Sequence, residues 1–288
     1  MKFFRMALAA VALAAMAAPA VSQDLYGTLK KARDTKTFTI GFREASFPFA
    51  YYDDQKKPVG FAVELCTRIA EEVKAELKMP DLQVKFLPVN PQTRIPLLTN
   101  GTIDIECGST TNNLGRQQQV DFTYSFYVTG NRLMASKASG IKEIENISGK
   151  SVGVAAGTSN ERILNTLIEE LKLKPRIVTV KDHAEGMLAM ETGRIDAYMH
   201  DEVGQYGLLS KSSQKAKFDV VGRLLSFDPY GLMIRRDDSA FKFVANRTLA
   251  KIYRSGEVYA MFKKHFDPFG IPMTPAVDWT FKLNAMPD

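Results

Sequence analysis

Gly101-Thr102-Ile103-Asp104-Ile105-Glu106-Cys107-Gly108-Ser109-Thr110-Thr111-Asn112-Asn113-Leu114-Gly115-Arg116 is the stretch on which the fold turns. Thr102 to Cys107 alternates polar and apolar as a half-buried strand does. Asn112 or Asn113 is then placed to cap a helix whose first turn holds Arg116. A helix N-terminus carries partial positive charge, so a cation there is opposed by about 0.3–1 kcal/mol unless an anion joins it. A carboxylate suits the place, held by the guanidinium fork, the Ser109 and Thr111 hydroxyls and the free backbone N–H groups of the turn. A capped helix with a solvated arginine accounts for the segment equally well.

The opening of this stretch recurs at an offset of 92 residues, where Gly193-Arg194-Ile195-Asp196 repeats Gly101-x-Ile103-Asp104. In both places a helix with apolar residues near its end runs into the glycine, which acts as its C-terminal stop, and a strand follows. The surroundings repeat as well. Before the first copy, the pattern predicts a strand over 37–43, a helix over 61–77, a strand over 82–87, a short helix over 94–99 and a strand over 102–107. Around the second it predicts a strand over 151–155, a helix over 160–171, a strand over 176–180, a helix over 184–192 and a strand over 195–200. The chain therefore reads as two similar α/β lobes.

Ligands of open α/β sheets bind beyond the carboxyl ends of the strands. Arg43 closes the first strand, and Ser109 and Thr111 follow the strand ending at Cys107. Thr158 follows the strand ending at Ala155, His183 the one ending at Val180, and Asp201 the one that closes at Met199-His200. Two lobes facing each other would line a cleft with these side chains. Segments 126–134 and 230–234 flank the second series, each strand-like and each containing a glycine, and would serve as a double hinge. A helix over 239–253 and a further segment over 257–265 then return to the first lobe. The expected division is a leader over 1–22, lobe 1 over 23–127 and 233–288, and lobe 2 over 128–232.

Lys2 and Arg5 precede an apolar, alanine-rich run from Met6 to Ala18, with small residues at Ala18, Ala20 and Ser22, which reads as a secretory leader cut after Ala20 or Ser22. No cysteine follows that run, so no lipid anchor is expected, and no later stretch has the ~20 apolar residues of a membrane span. Loss of the leader takes the formal charge from +6 to +4, with the basic residues scattered, which is no nucleic-acid footprint. The 266 residues that remain suit two domains. Cys66 and Cys107 are the only cysteines. An oxidising compartment permits a bridge between them, contributing about 4 kcal/mol in the chain-entropy account, and two separate buried thiols fit as well.

The pattern resembles the periplasmic solute-binding proteins of amino-acid ABC importers, solute-binding protein family 3, and within them the glutamate/aspartate branch. The residues carrying the resemblance are G-F-R-E-A-S-F-P-F-A-Y-Y-D at 41–53, T-R-I-P-L-L-T-N-G-T-I-D-I-E-C-G-S-T-T-N-N-L-G-R-Q at 93–117, V-K-D-H at 180–183 and H-D-E at 200–202. It implies a two-lobed α/β fold of the type II kind, with two hinge strands and the ligand cleft between the lobes. It also implies a periplasmic location, a monomer, an ABC permease of the inner membrane as partner, and no cofactor or metal. By the same resemblance Arg116 grips the ligand α-carboxylate, helped by Ser109, Thr111 and the Thr158 loop, and Asp201 receives the α-ammonium. Arg43, Arg94 and His183 surround the ligand side chain. Pro91 and Ala155 stand where the branch usually has serine and threonine, so the choice among aspartate, glutamate and another dicarboxylic ligand stays open.

A charge count points the same way. A neutral amino acid needs only Arg116 and Asp201, and two further arginines in one desolvated cleft repel each other unless another anion is present. Three arginines against Asp201 make the site +2, facing a ligand of −1. Local alternatives exist for each residue: Arg94 on a helix surface, His183 in a loop beside an Asp182–Glu185 capping pair, Arg43 paired with Glu44, and Asp201 as a helix cap. Two other functions would use the same cleft. A periplasmic lyase or dehydratase would need His183 or Glu44 as its acid or base, and a sensory protein would pass ligand occupancy to a receptor.

Overall fold

The computed structural model describes residues 25–287, so the expected leader lies outside the described residues. The first series forms α1 (Gly27–Thr35), β1 (Thr37–Arg43), the short strands β2 (Ala45–Ser46), β3 (Ala50–Tyr52) and β4 (Pro58–Val59), α2 (Phe61–Leu77), β5 (Gln83–Val89), α3 (Arg94–Thr99), β6 (Ile105–Cys107), α4 (Leu114–Gln117) and β7 (Val120–Thr129). The second forms β8 (Asn131–Ser136), β9 (Ser151–Ala155), α5 (Ser159–Glu170), β10 (Arg176–Val180), α6 (His183–Glu191), β11 (Ala197–Asp201), α7 (Glu202–Lys211) and β12 (Phe218–Val221). The chain closes with β13 (Asp228–Arg235), α8 (Ser239–Arg254), α9 (Glu257–Phe266) and α10 (Pro275–Leu283).

Two five-stranded sheets result, in the orders β5-β1-β6-β13-β7 and β10-β9-β11-β8-β12. In each, the first strand of its series lies between the second and the third, and an antiparallel strand borders the third. The repeated G-x-I-D explains this likeness. Thr39 N–H donates to Asp104 Oδ2 and Ser151 N–H to Asp196 Oδ2, both at 2.8 Å, so each aspartate fastens the neighbouring parallel strand. Ile103 lies over Gly41 and Ile195 over Gly153, so close that a Cβ on either glycine would fall 2.4 Å from the isoleucine Cδ1. Asp196→Ala leaves the Ser151 N–H without its acceptor and is expected to cost about 1–2 kcal/mol, read as a lower denaturant midpoint at unchanged slope.

Helices cover both faces of each sheet. Phe38, Ile40, Ile105 and Cys107 face α2, α8 and α9 in the largest core, and Val89, Ile103 and Met233 face Leu98 of α3. In the second sheet Val152, Val154 and Met199 face Leu164 of α5, while Ala155 and Tyr198 face Met187 of α6 and Leu208 of α7. The chain passes between the sheets twice, once where β7 gives way to β8 at Gly130 and once in the segment 222–227 before β13. A Cβ on Gly130 would fall 2.2 Å from the Ser226 carbonyl oxygen, so the two crossovers touch there.

Cys66 and Cys107 form a disulfide joining α2 to the end of β6, which decides between the bridge and the two thiols. The helix holding Arg116 is short. It is a single turn, capped by the Asn113 side chain accepting from Arg116 N–H at 3.0 Å, because β7 begins at Val120. A one-turn helix has little macrodipole, so the argument from helix charge loses its force and Arg116 must be judged by its surroundings. No helix among the described residues is long and apolar enough to cross a membrane.

Candidate functional site

The strands of both sheets point their carboxyl ends into one cleft, and the lobes meet across it. Thr111 Oγ1 lies 3.0 Å from Ser159 Oγ, and the Tyr230 hydroxyl donates to Asp201 Oδ2. Gly157, at φ 73°, sits against Pro91 and Gln92, and a Cβ there would come within 3.2 Å of the Pro91 carbonyl carbon. Phe47 packs with both the first-lobe core and the α6–α7 core.

Arg43, Arg94, His183 and Asp201 are each 2% exposed and Arg116 9%. Thr111 and Thr158 are buried and Ser109 is half-buried. Burial excludes the surface alternatives for Arg94 and Arg43, and Arg43 makes no ion pair with Glu44. Asp201 does occupy the N-cap position of α7, but its side chain makes no capping bond. It accepts instead from Asn160 at 2.8 Å and Asn131 at 3.1 Å. His183 opens α6 behind an Asp182 cap, so the capping pair and the buried histidine coexist. Thr158 Oγ1 caps α5, accepting from Glu161 N–H at 3.1 Å and donating to the Ala155 carbonyl at 2.6 Å.

Three guanidinium groups form a row. Arg94 is central, with Nη1 2.5 Å from Thr110 Oγ1 and 3.9 Å from Glu106 Oε1. Arg43 feels Asp182 and Tyr198 at one end of the row, and Arg116 feels Asp201 and Asp228 at the other. Burial, with Arg94 beside it, lowers Arg43 to about 10, and the same two causes lower Arg116 to about 9. Arg116 Nη1 donates to the Thr111 carbonyl at 2.8 Å. Neither Arg43 nor Arg116 is paired with a carboxylate among the described residues, whereas Arg94 is.

His183 Nδ1 lies 2.9 Å from the Tyr198 hydroxyl, and its ring stacks on His200 with centroids 3.7 Å apart. Burial first, then His200 and the arginines, hold His183 well below its usual range, so it is neutral at pH 7. Burial and Arg43 likewise lower His200 to about 3.

Sequence reasoning missed Glu106, Asn131, Ser159, Asn160, Tyr230 and the partners of His183. Glu106 is fully buried and accepts from Thr110 Oγ1 at 2.7 Å. A Cβ on Gly108 would fall 2.6 Å from Arg43 Cγ and 2.7 Å from Glu106 Oε1, so glycine there admits both side chains. Glu106 lowers the count of three arginines against Asp201 from +2 to +1. Its signal was present, since strand parity sets Glu106 opposite the apolar Ile105 and Cys107.

Two similar α/β lobes, a double crossover and buried polar groups from both lobes on one cleft define a two-lobed periplasmic binding protein of the type II fold. Residues 38–268 match the family described as bacterial extracellular solute-binding proteins, family 3, and the chain belongs to it. It is 42% identical over 258 residues to a Pseudomonas aeruginosa protein named L-glutamate/L-aspartate-binding protein, covering 89% of this chain and 85% of the relative. It is also 42% identical over 258 residues to the Escherichia coli glutamate/aspartate import solute-binding protein, covering 90% and 84%. Among solved structures, an ancestral arginine-binding protein bound to arginine superposes with a TM-score of 0.71 at 27% identity, over 80% of this chain and 98% of its own. The family is one of binding proteins and not of enzymes, which sets aside the lyase or dehydratase.

Proposed function

We propose that this chain captures an acidic L-amino acid, glutamate or aspartate, by closing its lobes, and delivers it to an ABC permease of the inner membrane. The observation that carries the reading is the pair of buried guanidinium groups, Arg43 and Arg116, at opposite ends of the row and neither paired with a carboxylate among the described residues. A ligand with two carboxylates and one ammonium matches this spacing of charge. Its α-carboxylate goes to Arg116 with Ser109, Thr111 and the Thr158 loop, and its ammonium to Asp201. Its distal carboxylate goes to Arg43, Arg94 and the remaining nitrogen of neutral His183. The names of the P. aeruginosa and E. coli relatives support the same ligands. The lobes are residues 23–127 with 233–288 and residues 128–232. The chain works as a periplasmic monomer, freed from a leader over 1–22 and without a nucleic-acid partner.

Calorimetry of the ligand-stripped protein tests this. L-Glutamate or L-aspartate should bind tightly and L-glutamine at least about a hundredfold more weakly, because glutamine leaves a buried guanidinium uncompensated. Arg43→Met should weaken the acids by about 2–3 kcal/mol and narrow the gap to glutamine. Equal binding of glutamate and glutamine by the wild type would overturn the assignment of Arg43.

A further inference from the structure

The ammonium end of the cleft holds more acid than one ligand contact needs. Asp201 and Asp228 are each 2% exposed. The Asn131 side-chain amide donates to both, at 3.1 Å to Asp201 Oδ1 and 2.9 Å to Asp228 Oδ2. Neither carboxylate has a lysine, arginine or histidine in an ion pair among the described residues. The Tyr230 hydroxyl from β13 and Asn160 from α5 donate to Asp201, and the Ser226 hydroxyl donates to Asp228. Of the charged groups nearby, Arg116 is tied to the Thr111 carbonyl and Glu202 to Arg132. Asn131 directly follows Gly130 in one crossover, Ser226 belongs to the other, and Asp228 opens β13 directly after it. Both crossovers therefore meet at Asp201.

We propose that Asp228, acting through Asn131, is a positioning residue for the ammonium end: it keeps a proton on Asp201 in the ligand-free protein, and the ligand ammonium displaces that proton to solvent. The proposal rests on Asp201 being the acid that receives the ammonium. Two buried carboxylates around one amide resist double ionisation until a cation joins them. Burial, and next the neighbouring Asp228, push Asp201 up to about 7. When the ammonium enters, the Asp201 O–H bond breaks, its proton passes to buffer, and N–H···O bonds replace it without any electron transfer. The change of charge falls where the crossovers touch, so capture of the ammonium acts directly on the hinge. A dicarboxylate lacking an ammonium would meet the acid pair with no cation to offer.

Calorimetric titration with L-glutamate in buffers of differing ionisation enthalpy counts the protons. Release should approach one per ligand at pH 6, about half at pH 7 and none at pH 9, with affinity falling toward tenfold per pH unit on the acid side. Asp228→Asn should lower the release at pH 7 below the wild-type count, by the part of the shift that Asp228 adds to burial. Ser226→Ala, which alters the hydrogen bonding but keeps the charge, should leave it near the wild-type count. His183→Asn, run in parallel, removes any proton taken up at the distal end. In the infrared, the ligand-free protein should show a protonated-carboxyl band at pH 6 that Asp201→Asn abolishes. A missing band, or an Asp228→Asn proton count equal to wild type, overturns the proposal. If L-glutamate gives no heat while the band is present and Asp228→Asn weakens it, the ligand assignment fails and the acid pair stands.

Discussion

Arg116→Met is expected to weaken L-glutamate and L-aspartate by about a thousandfold or more, while leaving the ligand-free protein as stable as wild type or more so. The two halves of this result share one cause. Arg116 is buried, and its side-chain hydrogen bond is to the Thr111 carbonyl, so its charge has no carboxylate in an ion pair among the described residues. Removing one member of a desolvated, hydrogen-bonded charge pair typically costs about 2–5 kcal/mol, and in the complex the ligand carboxylate would be the member left alone. Without ligand the balance reverses. Burial is the main reason the guanidinium is lowered to about 9, so the folded protein holds this proton less tightly than the unfolded chain does. The resulting penalty is fully present at pH 7, below the folded value, and fades as pH rises from about 9 toward the unfolded range. Methionine fills much of the volume and carries no charge to desolvate. Thermal unfolding with and without ligand separates the two halves. The wild type should gain about 4 kcal/mol of stability at a ligand concentration a thousand times its Kd, and the variant at most about 0.4 kcal/mol at the same concentration. A variant that lost ligand-free stability and kept its affinity would show Arg116 to be a structural residue.

The parts of this site legible in the sequence were those whose residue type is unusual for its local position. Arginines at Arg43, Arg94 and Arg116, set at strand and helix ends, advertise an anion because nothing in their own segments needs the charge. The fold was legible for a related reason: Gly41 with Ile103 and Asp104, and Gly153 with Ile195 and Asp196, do the same packing work twice, so the pattern repeats. The acid side was harder to read. Asn131 and Asp201 are separated by 70 residues and Asn131 and Asp228 by 97. Locally, an asparagine after Gly130 and an aspartate before Pro229 look like turn residues. Pairing of β11 with β8 sets Asp201 opposite Asn131, and the return of β13 to the first sheet brings Asp228 to them. The end of the helix holding Arg116 was not legible, since capping marks where a helix begins and says nothing about where Val120 starts the next strand. For the cysteines, spacing was silent, yet parity was informative: Cys107 shares the Ile105 face of β6, and that face is the one α2 covers.

Replacing both cysteines, Cys66→Ala with Cys107→Ala, is expected to cost about 4 kcal/mol of unfolding free energy while changing ligand affinity by less than about threefold. The size follows from the bridge closing a segment with a sequence separation of 41, which removes loop-closure entropy from the unfolded chain. The insensitivity of binding follows from where the sulfurs lie. Both are fully buried in the large core between α2 and the sheet, on the face of β6 opposite Glu106, so the bridge does not border the cleft. Strand β6 is also held by pairing with β1 and β13, which does not depend on the disulfide. The Asp104 carboxylate adds a tie of its own, taking Lys31, Arg235 and the Thr39 N–H. A guanidinium melt of oxidised, reduced and double-alanine protein distinguishes the contributions, because reduction keeps both sulfur atoms and removes only the crosslink. If reduction alone accounts for most of the loss, the bridge acts through the unfolded chain. If instead affinity collapses on reduction, β6 depends on the bridge for its position, and Glu106 and the 108–111 loop would have to be counted as held in place by a covalent bond on the far side of the sheet.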